Sequence, residues 1–280
     1  MTIAVTGATG QLGRLVIDGL RDVVPGGDVV AVARDKDRAS DLGVTVRVAA
    51  YEDPDALLAA FEGVDTLVFI SGSEAGARMT QHTNVVQAAR QAGVGHVLYT
   101  SAPRADDTTL LLAPEHKATE ELLRESGLAW TILRNNWYHE NYLSTLQTAA
   151  QTGEIVSAAG DGRVASASRA DYAAAAVAVA TTEGHEGKVY ELGGDTAWDF
   201  AEFTEAAGAA LGRPLTYRPV SPDELDARLA EAGLDAGTRG FVVGLDRNIA
   251  EGTLAEVTGD LSRLTGRPTT PLVDGLGALV

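Results

Sequence analysis

The amino-acid sequence predicts an α/β fold of the doubly wound type, in which helices cover both faces of a parallel sheet. From residue 2 onward, short apolar runs rich in Val and Ile alternate with segments of helical periodicity. Runs that are apolar at nearly every position are typical of strands buried on both faces. A glycine-rich stretch, TGATGQLG, separates the first apolar run from the first helical segment. Because right-handed crossovers join parallel strands, this order predicts an open, layered sheet.

The individual elements of the first half follow from periodicity and from turn residues. Pro25, Gly26 and Gly27 end the first helical segment, and Pro114 suits the first turn of a later helix. The apolar runs predict strands at 2–6, 28–33, 44–48, 65–70, 95–100 and 128–133. The helical patterns lie at 11–23, 54–61, 75–92 and 114–126.

Beyond residue 134 the alternation loosens. The stretch SAAGDGRVASAS predicts a hairpin around Asp161 and Gly162, since Asp-Gly is a favoured two-residue turn. An Ala-rich helix at 170–182 and a strand at 188–192 follow. From Trp198 onward, short helices alternate with Gly and Pro. These segments predict a smaller C-terminal α/β lobe.

The expected domain organisation has two parts. Residues 1–134 form a core that binds a dinucleotide, completed by about 154–192. Residues 135–153 and 193–280 form the smaller lobe on the substrate side.

Composition limits the possible partners. The chain has 280 residues, a formal net charge of −17 and no cysteine. An acidic surface repels nucleic acid and anionic lipid, and the absence of cysteine excludes disulfides and thiol nucleophiles. The sequence has no apolar run long enough to span a membrane and no basic export segment. We expect a cytoplasmic protein that acts on a small molecule.

The glycine stretch predicts a dinucleotide site because it stands between a strand and a helix. Backbone N–H groups at a helix N-terminus attract a pyrophosphate, and glycines let the backbone approach it. Gly7 and Gly10 have this role in the prediction, while Gly13 lets the helix pack on the sheet. A glycine turn with only a structural role is the alternative. The predicted cofactor contacts in this stretch are Gly7, Thr9, Gly10, Gln11 and Leu12.

The end of the second strand favours NADPH over NADH. An acidic residue there usually binds the ribose hydroxyls of NAD, whereas arginine accommodates a 2′-phosphate. Here the sequence is VVAVARDKDR, with Arg34 at that position and Arg38 one turn later. Asp35, next to Arg34, leaves weaker use of NADH possible. The alternative to a phosphate-binding role is that Arg34 is a solvated side chain paired with Asp35 or Asp37.

The sequence argues against ordinary alcohol–ketone chemistry. Short-chain reductases usually use a Tyr and a Lys four residues apart, and no tyrosine here has Lys four positions later. Ser101 still follows the fifth strand, and we expect it to contact the cofactor. The helix after that strand carries His116 and Glu120 instead. A tyrosine acid–base is therefore missing.

Several segments together resemble the NmrA-like atypical short-chain dehydrogenase/reductase family. They include TGATGQLG, LRNNWYHENY and GDGRVASASRADYAAAA, and the similarity runs nearly end to end. Within that family the chain most resembles the type 2 NAD(P)H:quinone oxidoreductase group. The resemblance implies a Rossmann domain and reduction of quinones by NADPH without flavin, in a cleft between two lobes. No metal is expected, because the pair His139-Glu140 lacks the second histidine of a zinc motif. Relatives often carry Asp at the position of Ala50, so the adenine contact here falls to Tyr51.

The remaining candidate residues follow the fourth and sixth strands. Polar side chains at the carboxyl ends of such strands face the ligand crevice. Amides and aromatic rings suit a flat acceptor, although a helix cap and packing cluster is the alternative. His116 is expected to contact the ribose or the acceptor, with an i,i+4 contact to Glu120 as its alternative. The candidates are Ser71, Gly72, Ser73 and Asn135 for the cofactor, Asn136, Trp137 and Tyr138 for the substrate, and Asn136, Tyr138 and His116 for catalysis.

Two other functions stay open on the sequence alone. One is a redox sensor that binds NADP(H) and signals to a protein partner without turnover. The other is a reductase of the same fold that acts on dyes or phenylpropanoid-like ligands. The sequence leaves the quinone unidentified and does not decide between a monomer and a homodimer.

Overall fold

The computed structural model describes residues 1–72, 74 and 76–280. Those residues divide into two compact units. The first unit comprises Met1–Asp106, Pro114–Asn135 and Arg169–Glu191. The second unit comprises Asp107–Ala113, Asn136–Ser168 and Leu192–Val280.

The secondary structure of the described residues follows the predicted alternation. The strands are β1 (Ile3–Val5), β2 (Val29–Ala33), β3 (Thr45–Val48), β4 (Thr66–Phe69), β5 (His96–Ser101), β6 (Ala129–Asn135), β7 (Glu154–Ser157), β8 (Lys188–Leu192) and β9 (Thr216–Pro219). The helices are α1 (Gln11–Val23), α2 (Pro54–Ala60), α3 (Arg78–Ala92), α4 (Ala113–Glu125), α5 (Leu143–Thr152), α6 (Arg169–Thr181), α7 (Phe200–Leu211), α8 (Pro222–Glu231), α9 (Ala236–Ala250), α10 (Asp260–Thr265) and α11 (Leu272–Gly277).

The main sheet has, in the described part of the chain, seven strands in the order β3-β2-β1-β4-β5-β6-β8. Strand β1 pairs in parallel with both β2 and β4, with Ile3 opposite Val29 on one side and Thr66 on the other. The chain thus builds outward from β1 in one direction and then from β4 in the other. This arrangement confirms the predicted doubly wound Rossmann fold class.

Helices bury both faces of this sheet. Alternate strand residues, among them Val30, Leu67 and Tyr99, pack in one buried cluster with Leu57 of α2 and Leu123 of α4. On the opposite face α1 and α6 pack together, and a Cβ on Gly19 would lie 3.0 Å from Val177 Cγ2. Two-sided burial explains why the central strands are continuously apolar.

The predicted hairpin around Asp161 and Gly162 is wrong. In the second unit β7 pairs in parallel with β9, with Glu154 opposite Thr216. The turn itself forms, since the Gly162 N–H donates to the Ala159 carbonyl at 2.9 Å. A Cβ on Gly162 would lie 2.3 Å from the Ile249 carbonyl oxygen. The glycine therefore permits close approach of α9 rather than a hairpin.

An aromatic cluster forms part of the core of the second unit. The Tyr142 and Phe203 rings have centroids 4.7 Å apart, and Trp198 and Phe203 have centroids 5.1 Å apart.

Among the helices described, none has the length and apolarity that crossing a bilayer requires.

Candidate functional site

The carboxyl ends of β1 and β4 mark the point where the strand order changes direction. In open α/β sheets, ligands bind in the crevice outside the strand ends at such a point. The glycine turn follows β1, and the segment with Ser71 and Gly72 follows β4. Ser73, which the sequence also assigns to the cofactor, lies outside the described residues.

The glycine turn has a backbone that side chains would obstruct. Gly7 has φ +58°, a left-handed conformation that favours glycine. A Cβ on Gly13 would lie 2.2 Å from the Gly7 carbonyl oxygen, so no larger residue fits there without movement of the backbone. At Gly10 the same distance would be 3.1 Å, which is tight but less severe. The turn and the start of α1 are therefore closely packed.

The N-terminus of α1 presents unused donors. The first α-helical hydrogen bond runs from the Arg14 N–H to the Gly10 carbonyl at 3.0 Å. The N–H groups of Gln11, Leu12 and Gly13 precede that bond and are left for another acceptor. No acidic residue lies in the first turn, and the helix dipole favours an anion there. Thr9 is half-exposed, and Gln11 is exposed.

Tyr51 joins the ends of β1 and β4. Its hydroxyl lies 2.7 Å from Thr6 Oγ1 and 2.7 Å from the Ile70 carbonyl oxygen, to which it donates. Burial raises the pKa of the Tyr51 hydroxyl above its usual range, so it stays protonated. Cβ atoms placed on Gly7 or Gly72 would each lie 3.8 Å from Tyr51. The structure thus brings the two predicted cofactor segments together around this ring.

The segment after β4 is held by side chains. The Ser71 N–H donates to Thr100 Oγ1 at 2.9 Å. The Gly72 N–H donates to His82 Nε2 at 3.0 Å, and its carbonyl accepts from Arg78 Nε at 2.8 Å. No motif in the sequence marks His82 or Arg78 as functional residues.

Arg34 is exposed directly after β2. Its guanidinium pairs with Glu74 at 3.0 Å, and both side chains are at least half exposed. The predicted alternative partner Asp35 is engaged elsewhere, since its carboxylate accepts from the N–H groups of Asp37 and Arg38 at 2.8 and 3.3 Å. Asp35 therefore caps a local turn.

Ser101 belongs to a buried ionic cluster. Its hydroxyl donates to Glu120 at 2.6 Å. The Glu120 carboxylate, which is fully buried, also receives the Arg134 guanidinium through two bonds of 2.6 and 2.8 Å. Arg134 in turn bonds to Glu191 and Asp106, each at 2.8 Å. These charges satisfy one another and fix the ends of β5, β6 and β8.

His116 is buried on α4 and is bonded to Tyr99 rather than to Glu120. Its Nδ1 lies 2.8 Å from the Tyr99 hydroxyl. Burial, and then the nearby Arg78 guanidinium, lowers the pKa of His116 from 6.5 to about 3. The imidazole is therefore neutral at physiological pH and can exchange one hydrogen bond with a ligand but cannot offer a positive charge.

The residues after β6 cross from one unit to the other. Asn135 ends the strand and is buried, whereas Asn136 begins a segment of the second unit. The Asn136 amide accepts from the Trp137 N–H at 2.7 Å and donates to the Leu254 carbonyl at 3.1 Å. Trp137 and Tyr138 are half-buried, and Tyr138 forms an isolated β-bridge with Ala167. Asn136 thus ties backbone segments within the second unit.

Acidic and histidine side chains do not assemble a metal centre in the part of the chain that the structure describes.

Comparison with known proteins identifies what this arrangement is similar to. The sequence pattern of the NAD(P)H-binding family matches residues 7–183. Quinone oxidoreductase 2 of Escherichia coli is 45% identical over 99% of this chain and 98% of its own length. The crystal structure of that NADPH-dependent quinone oxidoreductase in complex with NADPH superposes on this chain with a TM-score of 0.95 over 99% of each chain.

Two further relatives cover essentially the whole chain. The Citrobacter triphenylmethane reductase complexed with NADP(H) has a TM-score of 0.94 and 37% identity over 100% of both chains. An NmrA-like family domain-containing oxidoreductase of Aspergillus flavus is 31% identical over 100% of this chain and 95% of its own length.

Proposed function

The chain belongs to the NAD(P)H-binding family, with NmrA-like relatives, and we propose that it is an NADPH-dependent quinone reductase. The glycine turn between β1 and α1 is the main support for cofactor binding. It has a left-handed Gly7, no room for a Cβ at Gly13, and three unused N–H groups at the start of α1. A pyrophosphate fits this cradle because it needs close backbone donors and no opposing carboxylate.

Cofactor binding is assigned to residues of the first unit. Thr9, Gly10, Gln11 and Leu12 line the start of α1 and would hold the pyrophosphate. Ser71 and Gly72 follow the neighbouring strand β4 and would contact the ribose and nicotinamide side. The Tyr51 hydroxyl bonds to Thr6 and to Ile70, the residues that precede these two segments. The Tyr51 ring is the proposed adenine contact.

The preference for NADPH over NADH rests on Arg34. Its partner Glu74 is a solvent-exposed carboxylate, and such ion pairs contribute only about 0–1 kcal/mol. A 2′-phosphate can replace that weak pair with a charge-assisted bond. The carboxylate of Asp35 already accepts two backbone N–H groups and is therefore poorly placed to bind a ribose hydroxyl. We propose that NADH binds more weakly.

The reaction requires little acid–base chemistry from the protein. NADPH, when bound, supplies the hydride, and a quinone accepts it readily because the product is aromatic. The protein then contributes mainly positioning. His116 is neutral and can hold a ribose or acceptor oxygen through one hydrogen bond. One hydrogen of the hydroquinone product arrives as the hydride, the single further proton can come from water, and no flavin is required.

Acceptor recognition is assigned to the second unit. Trp137 and Tyr138 are half-buried aromatic side chains, which suit contact with a flat ring. Asn136 has one amide hydrogen committed to Leu254, so we propose that it mainly positions these two neighbours.

The acidic, cysteine-free composition supports a cytoplasmic location.

The deciding experiment is NADPH oxidation by the purified protein. A quinone panel, a triphenylmethane dye and a control without acceptor are compared under the same conditions. We expect oxidation to be faster with quinone than with the dye or without an acceptor. Faster turnover with the dye would favour the dye reductase alternative. Tight NADPH binding with no acceleration by any acceptor would reject the enzyme and favour a sensor.

A further inference from the structure

We propose that His82 and Arg78 are positioning residues that fix the peptide groups of Gly72 for cofactor binding. Both lie on α3 and bond to opposite polar groups of the same glycine. His82 Nε2 accepts from the Gly72 N–H at 3.0 Å, and Arg78 Nε donates to the Gly72 carbonyl at 2.8 Å. This inference rests on the proposed function, since Gly72 is part of the proposed NADPH site.

The His82 ring has one hydrogen-bonding arrangement that satisfies all its neighbours. The Thr119 hydroxyl donates to the Glu115 carbonyl at 2.8 Å, so its oxygen accepts from His82 Nδ1 at 2.8 Å. Nδ1 then carries the hydrogen, and Nε2 is the acceptor that Gly72 requires. The side chain is fully buried, with the Phe69 and Tyr99 rings at centroid distances of 4.8 and 5.6 Å. The ring is therefore fixed in both position and tautomer.

Arg78 is placed where its charge is otherwise unfavourable. It is 6% exposed and is the first residue of α3, where the helix dipole opposes a cation. The Glu115 carboxylate compensates this charge at 2.7 Å and also accepts from the Gly76 N–H at 3.2 Å. The pairing with Glu115 therefore holds the Arg78 guanidinium in place as a donor to the Gly72 carbonyl.

These bonds matter for the cofactor because Gly72 and Gly7 both lie next to Tyr51: a Cβ on Gly72 would lie 3.8 Å from Tyr51 Cδ2, and a Cβ on Gly7 would lie 3.8 Å from the Tyr51 hydroxyl. If the peptide groups of Gly72 were free to rotate, binding would have to order them. Holding them in advance removes that entropy cost and so raises affinity. We therefore expect loss of the His82 bond to weaken NADPH binding more than it lowers kcat.

The test compares variants of His82 by calorimetric NADPH affinity, thermal unfolding and steady-state kinetics. His82→Phe keeps an aromatic ring and removes both bonds, and we expect Kd and KM for NADPH to rise roughly tenfold. His82→Gln retains a carbonyl acceptor and an N–H donor, and its Kd should stay within about threefold of the wild type. Recovery by glutamine would distinguish positioning from simple loss of packing.

The matched control is His96→Phe. His96 begins β5, at the other end of that strand from the site, and its Nε2 lies 2.8 Å from Thr131 Oγ1. This variant should lose stability with unchanged NADPH affinity. If His82→Phe does not fold, Thr119→Val removes the acceptor that fixes the His82 tautomer and should weaken NADPH binding in the same direction.

Three outcomes would overturn the inference. These are a folded His82→Phe with wild-type affinity, an equal loss of affinity in His96→Phe, and a Thr119→Val variant that binds NADPH as tightly as the wild type. Absence of NADPH binding by the wild type would instead reject the proposed function. The two failures are therefore distinguishable.

Discussion

At the scale of single residues, Arg34 should set the choice between the two nicotinamide cofactors. A charge-assisted hydrogen bond to a phosphate contributes roughly 1.5–3 kcal/mol. At ~1.4 kcal/mol per decade, Arg34→Ala should weaken NADPH binding by about one to two decades. NADH lacks the 2′-phosphate, so its affinity should hardly change. Calorimetric titration of both cofactors measures the difference.

Glu74 and Lys36 provide controls for this prediction. Glu74→Gln removes the carboxylate that pairs with Arg34, so NADPH affinity should rise by less than a decade. Lys36→Ala removes an exposed charge from the same segment and should have little effect on either cofactor. Equal losses for NADPH and NADH in Arg34→Ala would contradict the assignment.

Asn136 is a second residue whose role can be measured. Its buried amide bonds to Leu254 and Trp137, so Asn136→Ala leaves two backbone groups without their partner. Such a loss costs about 1–3 kcal/mol. We expect a lower unfolding free energy in urea together with a lower quinone turnover. Reduced turnover at unchanged stability would instead support the sequence-based prediction that Asn136 is a catalytic residue in contact with the substrate.

At the scale of elements, the turn between β1 and α1 distinguishes the roles of its glycines. Gly13→Ala places a Cβ 2.2 Å from the Gly7 carbonyl oxygen, so α1 must shift. Alanine gains about 1 kcal/mol of helix propensity, but overpacking of this kind typically costs 1–3 kcal/mol or more. We expect loss of both stability and NADPH binding.

Gly10→Ala is the matched variant for that element. Its Cβ would lie 3.1 Å from the same oxygen, and Gly10 has φ −76°, which alanine adopts freely. We expect near wild-type unfolding in urea but weaker NADPH binding, because the methyl group obstructs approach to the N–H groups. A Gly10→Ala variant that binds NADPH normally would contradict the proposed cradle.

At the scale of the whole molecule, buried histidines should control stability in mild acid. Burial is the largest cause that lowers the pKa of His82 and His116 from 6.5 to about 3, and it also lowers the pKa of His96. The unfolded chain therefore binds more protons below pH 6.5 than the folded protein does. The contribution of His82 and His116 is full above pH 6.5 and is lost towards pH 3, by up to about 1.4 kcal/mol per pH unit for each of these two residues.

Urea unfolding at pH 7.5, 6 and 5 measures this dependence. Carboxyls with lowered pKa values, such as Asp106, lose their contribution below about pH 5. Burial raises the pKa of the Asp246 carboxyl, so this group acts in the opposite sense to the histidines above its usual value of 3.8. Both effects are common to all variants, and the histidine contribution is therefore the difference in slope between variants. The slope over these pH values should become shallower in His82→Gln and again in the His82→Gln, His116→Gln double variant. An unchanged slope would show that these imidazoles are not neutral in the folded protein.

The sequence by itself determined the fold class and the place of the glycine turn between β1 and α1. The first helix, 11–23, coincides with α1, and the other predicted elements of the main sheet agree to within a few residues. Strand and helix periodicities are short-range properties, and so is the need for glycine at Gly7. The resemblance to NmrA-like reductases added the expectation of NADPH and quinone, because it depends on motifs spread along the chain.

Tertiary structure alone decided which polar side chains are committed to the protein and which are left for a ligand. Ser101 bonds to Glu120, Arg34 to Glu74, and His82 to Thr119, and these pairs are 19, 40 and 37 positions apart. No local pattern specifies such partners, because the strands and helices that carry them meet only when the sheet assembles. The hairpin failed for the same reason, since Gly162 is required by the distant Ile249 backbone.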